Sequence, residues 1–449
     1  MNSTFKVVFN KARGALMVVN EVTSSVQGKG TKTVIATAVT ALMAGSALAA
    51  SVIPEVPSDV TVTTANTAWD KVQADGQYHF KNEGAQGAFT TVTEGKNAEF
   101  GGKLWVSAIG ANSDATGLNV NGKDVVVTNK GEIYVTTGKD GVEWKNEAIL
   151  ADNSAKVVNA GRIVVKNAYG MRVGTQATAT IENAGTIIVE EQGVGMELGG
   201  GDKSVDSVAT NNGSIIVGDI AQGKYGHGVL IKDAKDVVLN NNGLIQAGEG
   251  ATAIDVQLEK TSATINLGET SQIDGLIKIG EGTKVALNAK GMTGKLKVKA
   301  ADGTTTLNID SSSDVTLADR QGSVYESVNI ADGKLTASIW HDTNEYGEKK
   351  EQLQNDNKFK NVTVGEKGVF NITKLNSGGD KDQTKTNAKP HNTLLIKDMK
   401  LTLDGGALQV AGQNYTGALK VGMSSENGAD TLTINAGNYN FESLKVGNA

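Results

Sequence analysis

The residues that could do chemistry are few and scattered. Of 449 residues, four are histidine (His79, His227, His341, His391) and none is cysteine, which excludes a thiol nucleophile, a thiolate metal site and any disulfide. His227 precedes Gly228 in KYGHGVL, the small-residue context of a catalytic histidine. No Gly-Asp-Ser-Gly, Gly-x-Ser-x-Gly or Gly-Thr-Ser nucleophile segment accompanies it. His227 therefore reads as a loop residue ahead of a Gly-Val-Leu-Ile strand. Glu197, Asp233, Asp236 and Asp255 lie near strand ends and are the carboxylates available for paired acid–base work on a polysaccharide. They do not recur at one offset from a repeat corner, so a solvated face is the plainer reading. Neither an EF-hand loop nor a Gly-Gly-x-Gly-x-Asp repeat is present, and Gly200-Gly201-Asp202 is too short a match. The expectation is a protein with no catalytic, metal or cofactor-binding residues, and so no enzyme.

The elements that position these side chains form a repeat. VVVTNKGEIYV from Val125, AKVVNAGRIVV from Ala155, ATIENAGTIIV from Ala179, SVATNNGSIIV from Ser207 and VVLNNNGLIQA from Val237 align without gaps. Each carries Asn-x-Gly-x-Ile at one offset: Asn129-Gly131, Asn159-Gly161, Asn183-Gly185, Asn211-Gly213 and Asn241-Gly243, followed by Ile133, Ile163, Ile187, Ile215 and Ile245. The glycines are 30, 24, 28 and 30 residues apart. Apolar residues alternate on both sides of each corner, the period of a strand with one buried face. A third short strand follows a small residue in most intervals, as in Gly170-Met171-Arg172-Val173 and Gly195-Met196-Glu197-Leu198.

A unit this small cannot bury its own apolar side and must stack on its neighbours. Three short strands per turn, stacked at ~4.8 Å, give an all-β, right-handed parallel β-helix of roughly 14 turns. At the corners, glycine is expected to supply a positive φ and asparagine to bond its own backbone. Stacked asparagines are expected to form an amide ladder along the axis, a structural role rather than a ligand site.

Composition agrees with a narrow core. The chain has 55 Gly, 3 Pro and only 20 aromatic residues (8 Phe, 8 Tyr, 4 Trp). Residues 1–49 hold five of the 43 basic residues and one of the 49 acidic ones, which leaves 38 against 48 in the remainder. An acidic body with three arginines (Arg162, Arg172, Arg320), poor in aromatics, is a poor nucleic-acid ligand, because neutralising phosphates needs clustered cations.

The N-terminus is an address. Lys29 and Lys32 precede TVIATAVTALMAGSALA at 33–49, which closes on Ala47-Leu48-Ala49, a small-x-small cleavage pattern. The stretch is shorter and less apolar than a membrane-spanning helix requires. Upstream stand Met1-Asn2, Phe5, Val7-Val8, Phe9-Asn10, the basic run Lys11 to Arg13, and Val19 to Glu21. That arrangement resembles the extended signal peptide region of type V secretion proteins, the autotransporters of Gram-negative bacteria.

The resemblance implies export through the Sec machinery and presentation of a β-helical passenger on the cell surface or outside the cell. It further implies adhesion, aggregation or a scaffold role toward host or bacterial surface ligands. The alternative is a carbohydrate-active β-helix enzyme, a lyase or hydrolase. The family also has an outer-membrane β-barrel. No run of amphipathic strands with aromatic girdles precedes Ala449, so the barrel is expected beyond this sequence or on a separate partner.

Four segments follow: a helical extended signal peptide at 1–49, an aromatic-rich cap at 50–100, the repeat core at 101–290, and more irregular coils at 291–449. Polar runs at 341–358 and 376–391 read as loops leaving the coil.

Overall fold

A computed structural model describes residues 52–84, 86–93, 97–108, 114–137, 146–174, 178–319, 321–339, 357–373, 393–396, 398–422 and 430–446, and the backbone at 5–10 and 15–20. At 200–205, 393 and 395, too, only the backbone is described. The chain divides into two compact units, 1–46 and 47–449.

In the first unit, Phe5–Asn10 and Ala15–Asn20 pair antiparallel, with Phe5 opposite Asn20. Helix was expected there, so these residues correct the expectation. The β-branched Val7, Val8, Val18 and Val19 favour extended backbone. The apolar stretch 33–49, with Ala47 and Ala49, lies outside the described residues.

The second unit is a stack of parallel strands in three rows. The first row precedes the repeat corner and runs from Asn97–Phe100 through Val126–Asn129, Lys156–Asn159, Thr180–Asn183, Val208–Asn211 and Val237–Asn241. It continues through Ser262–Leu267, Lys284–Lys290 and Thr305–Asp310 to Thr431–Ala436. The second row follows the corner, from Gln77–Asn82 and Lys103–Ala108 to Gln272–Asp274. The third runs from Gly87–Val92 through Glu147–Asp152, Gly226–Lys235 and Thr252–Gln257 to Thr293–Ala300. This stacked, parallel pairing is that of a β-helix solenoid. The expected cap segment already contributes a coil of its own, Gln77–Phe100.

Register explains the core. Ile133, Ile163, Ile187, Ile215 and Ile245 are partners in successive coils and are all fully buried. Each such side chain contributes about 1.5–3 kcal/mol by leaving water. One apolar cluster runs from Tyr78 to Val421, with rings gathered toward its ends (Phe80, Phe89, Phe100; Tyr325, Phe359, Phe370) and aliphatic side chains between.

On the second row, Trp105, Tyr134, Val164 and Ile188 stack on the outer face yet are buried, because Val52, Ile53 and Val60 pack over them. The Trp105 indole N–H donates to the Pro54 carbonyl at 3.1 Å.

The glycine expectation needs correction. None of Gly131, Gly161, Gly185, Gly213 and Gly243 has a positive φ, and neither has any repeat asparagine. A Cβ on Gly161, Gly185 or Gly213 would sit 2.0–2.1 Å from the carbonyl oxygen of the corner glycine one coil earlier. Close approach of backbones, not left-handed conformation, reserves the position for glycine. Asn159 shows why the approach is needed: its carbonyl accepts from both Ala184 and Gly185 N–H, each at 2.8 Å.

Coil length also departs from 28. The row-one partners Asn266, Asn288, Asn308 and Asn329 are separated by 22, 20 and 21 residues. The Asn-x-Gly mark fades where the coils shorten, since Leu267 replaces asparagine at the inward position opposite Asn241.

Candidate functional site

Two constructions concentrate polar chemistry. The first is inside the coil. Asn129 donates to Asn159 at 2.8 Å, Asn159 to Asn183 at 2.8 Å, Asn183 to Asn211 at 2.9 Å and Asn211 to Asn241 at 2.7 Å, each from Nδ2 to Oδ1. Asn241 ends the ladder on Ser271 Oγ at 2.6 Å. All five side chains are fully buried, and second N–H groups reach backbone carbonyls such as Ser214 and Leu244. An amide has two donors and two lone pairs, so this ladder is close to saturated. It holds coils in register and leaves nothing for a ligand.

The second lies on the outer face of the third row. Alternation turns Arg172, Glu197, Leu230 and Asp255 outward, in register, while Met171, Met196, Val229 and Ile254 point into the core. These outer residues are nonetheless buried, Glu197 at 0% and Asp255 at 1% exposure. Glu147 joins them from the preceding coil, accepting from Thr116 Oγ1 at 2.6 Å. Arg172 stands between carboxylates, its Nη1 3.7 Å from Glu147 and its Nε 3.3 Å from Glu197. Lys232 Nζ lies 3.5 Å from the other Glu197 oxygen. Asp255 meets His227 Nδ1 at 3.5 Å and Lys278 Nζ at 3.8 Å, and accepts from Gln257 Nε2 at 2.7 Å.

Burial sets the electrostatics. It pushes the Glu147 carboxyl up to about 7, against the pull of Arg172. Glu197 is raised by burial too, with Arg172 and Lys232 opposing. Burial lowers His227, and Asp255 opposes that shift. Opposite charges alternate from coil to coil, which is how buried ions are tolerated. With its carboxylates sealed, the cluster has the form of a cross-coil brace rather than an open acid–base pair.

Of the carboxylates legible in the sequence, Glu197 and Asp255 enter this cluster, with His227 beside Asp255. Asp233 adjoins it closely enough to raise Glu197. Asp236 stands apart, exposed, accepting from Ser262 Oγ at 2.9 Å. Glu147, Arg172 and Lys232 were missed. The signal was an offset counted from the wrong glycine: Arg172, Glu197 and Leu230 each lie two residues after Gly170, Gly195 and Gly228 of the third strand, and Asp255 two after Ala253. Among the described residues, no group of His, Asp and Glu could hold a metal ion, and no helix is long and apolar enough to cross a membrane.

Residues 1–50 match the family described as the extended signal peptide of the type V secretion system. This segment is characteristic of type V secretion autotransporters and marks the chain for export across the inner membrane. No curated protein and no solved structure matches the chain.

Proposed function

We propose that the chain is an exported, surface-presented β-helical passenger of autotransporter type, with a binding or scaffold role and no catalysis. The observation that carries this reading is the joining of a type V signal at 1–50 to a solenoid of parallel strands. A right-handed winding belongs to this reading, because it is the sense that crossovers between parallel strands nearly always take. The Sec machinery and an outer-membrane β-barrel are its export partners, and host or bacterial surface molecules its ligands. The sealed carboxylates of the third row support a bracing role over a catalytic one.

Antibody labelling of intact native cells tests the presentation. Labelling abolished by protease added outside the cell is expected. Labelling only after the outer membrane is permeabilised would place the protein in the periplasm and defeat the reading.

A carbohydrate-active enzyme is the second reading, favoured by Glu147 and Glu197 flanking Arg172 on one face of the coil. Release of reducing ends from a polysaccharide by the wild type, lost in Glu197→Gln, would establish it.

A further inference from the structure

At the point where the inner amide ladder stops, a second one begins on the outside. Asn241 ends the inner column, and its neighbour Asn240 starts the outer one. Asn266 donates to Asn240 at 2.8 Å, Asn288 to Asn266 at 2.9 Å, Asn308 to Asn288 at 2.7 Å and Asn329 to Asn308 at 2.8 Å. These side chains are half-buried, and Asn329 is exposed. Unlike the inner asparagines, Asn266, Asn288 and Asn308 make no second hydrogen bond from Nδ2 among the described residues. One N–H and one lone pair per rung are therefore left facing water.

The strip between the rims is without charge. The next outer position along each strand holds Val238, Thr264, Ala286, Thr306 and Ser327, also in register. Charge returns at the rims, at Lys290 and Asp310 on one side. On the other, Thr264, Ala286 and Thr306 line a groove of about 470 Å³ that crosses successive coils, and so runs along the axis. Asp236, Lys284 and Glu326 edge it. The neighbouring sheet differs, for Thr293–Ala300 exposes Lys295, Lys297 and Lys299.

We propose that this face binds an extended, uncharged polysaccharide laid along the coil axis. A donor and an acceptor side by side are what a pair of neighbouring sugar hydroxyls can bond at once. They recur every ~4.8 Å, the strand spacing, which is close to the length of one pyranose in an extended chain. The absence of charge selects against acidic glycans, and the axial groove gives such a chain a bed. The proposal rests on the passenger reading, since it supplies the surface ligand.

Affinity electrophoresis of the full chain tests it, in native gels containing hydroxyethyl cellulose, laminarin or galactomannan, with polygalacturonate as the anionic comparison. Retardation is expected in at least one neutral gel and not in polygalacturonate. The double variant Asn288→Ala/Asn308→Ala should bind about tenfold more weakly, the expected result of losing one or two net hydrogen bonds. Lys297→Ala, on the other sheet, should bind like the wild type. Thr306→Val, nearly isosteric, provides a milder second variant should the double one lose its melting transition. The proposal is overturned if no neutral gel retards the protein, or if both asparagine and threonine variants run like the wild type. It is overturned equally if the variants abolish self-association in sedimentation and leave gel mobility unchanged. Surface labelling of cells and gel retardation fail independently, so the two readings can be told apart.

Discussion

Asn159 donates its side-chain N–H to Asn183 at 2.8 Å across 24 residues of sequence, and neither side chain touches solvent. Replacing Asn183 by alanine would strand the donor of Asn159 and the acceptor of Asn211 inside the coil. A buried polar atom left without a partner costs about 1–3 kcal/mol. Asn183→Ala should therefore lower the urea midpoint clearly, whereas Asn212→Ala, an exposed neighbour bonded to Glu182, should hardly move it. Equal midpoints for the two variants would deny the inner ladder its bracing role.

Gly185 offers a sharper test of the corner. An added Cβ would lie 2.0 Å from the Gly161 carbonyl, which is held in place by its own bond from Thr186. Gly185→Ala should destabilise by about 1–3 kcal/mol, as overpacking does. Among the described residues, its chain neighbours aside, Gly84 has no atom nearer than 3.6 Å to the added Cβ, and its φ is not positive. Gly84→Ala should stay within about 0.5 kcal/mol of the parent. Melting temperatures of the two variants decide whether close approach is what selects glycine here.

The strand rows were legible because one apolar face repeats with period two around a fixed Asn-x-Gly-x-Ile corner. The reason for the glycine was not, since a close carbonyl one coil away leaves no local mark in the chain. The charged brace was hidden for a related reason: Glu147 and Arg172 are neighbours only through the stacking of coils of unequal length. Asn240, Asn266 and Asn288 likewise sit 26 and 22 residues apart, off the period of 28 on which the repeat was read. Unequal coils conceal a column from any search at constant spacing. Fold was written in alternation, while the sites depended on register.

The brace should make stability depend on pH. Glu147 is raised from 4.5 to about 7 in the folded chain, so the native state binds more protons than the unfolded one across that window. Stability from this group is therefore present at pH 4.5 and falls as pH rises toward 7. Glu197 is raised and contributes with the same sign. His227 is lowered and contributes the opposite sign, losing stability as pH falls below 6.5. Glu147→Gln keeps the shape of the protonated carboxyl and cannot ionise. Relative to the wild type, its melting temperature should rise from pH 4.5 to about pH 7 and level off above that. A difference that stays constant over that range would mean that Glu147 is already ionised throughout.

The segment that follows the signal is bound in the same physical terms. Trp105 and Tyr134 stack at 5.5 Å on the outside of the second row, an apolar face that water would otherwise meet. Val52 and Ile53 pack on this column, Pro54 accepts from the indole, and the Val52 N–H donates to Glu190. Deleting 52–57 would leave Val60 alone over Trp105, Tyr134, Val164 and Ile188 and expose most of this continuous strip, of the kind that drives association. The truncated chain should bind a hydrophobic dye such as anilinonaphthalene sulfonate strongly and should self-associate as its concentration rises. Trp105→Ser in the truncated background should reduce both effects, because it breaks the strip near its upper end. Dye binding no greater than that of the full chain would show that the strip is closed without the segment. Its burial would then have to come from other residues.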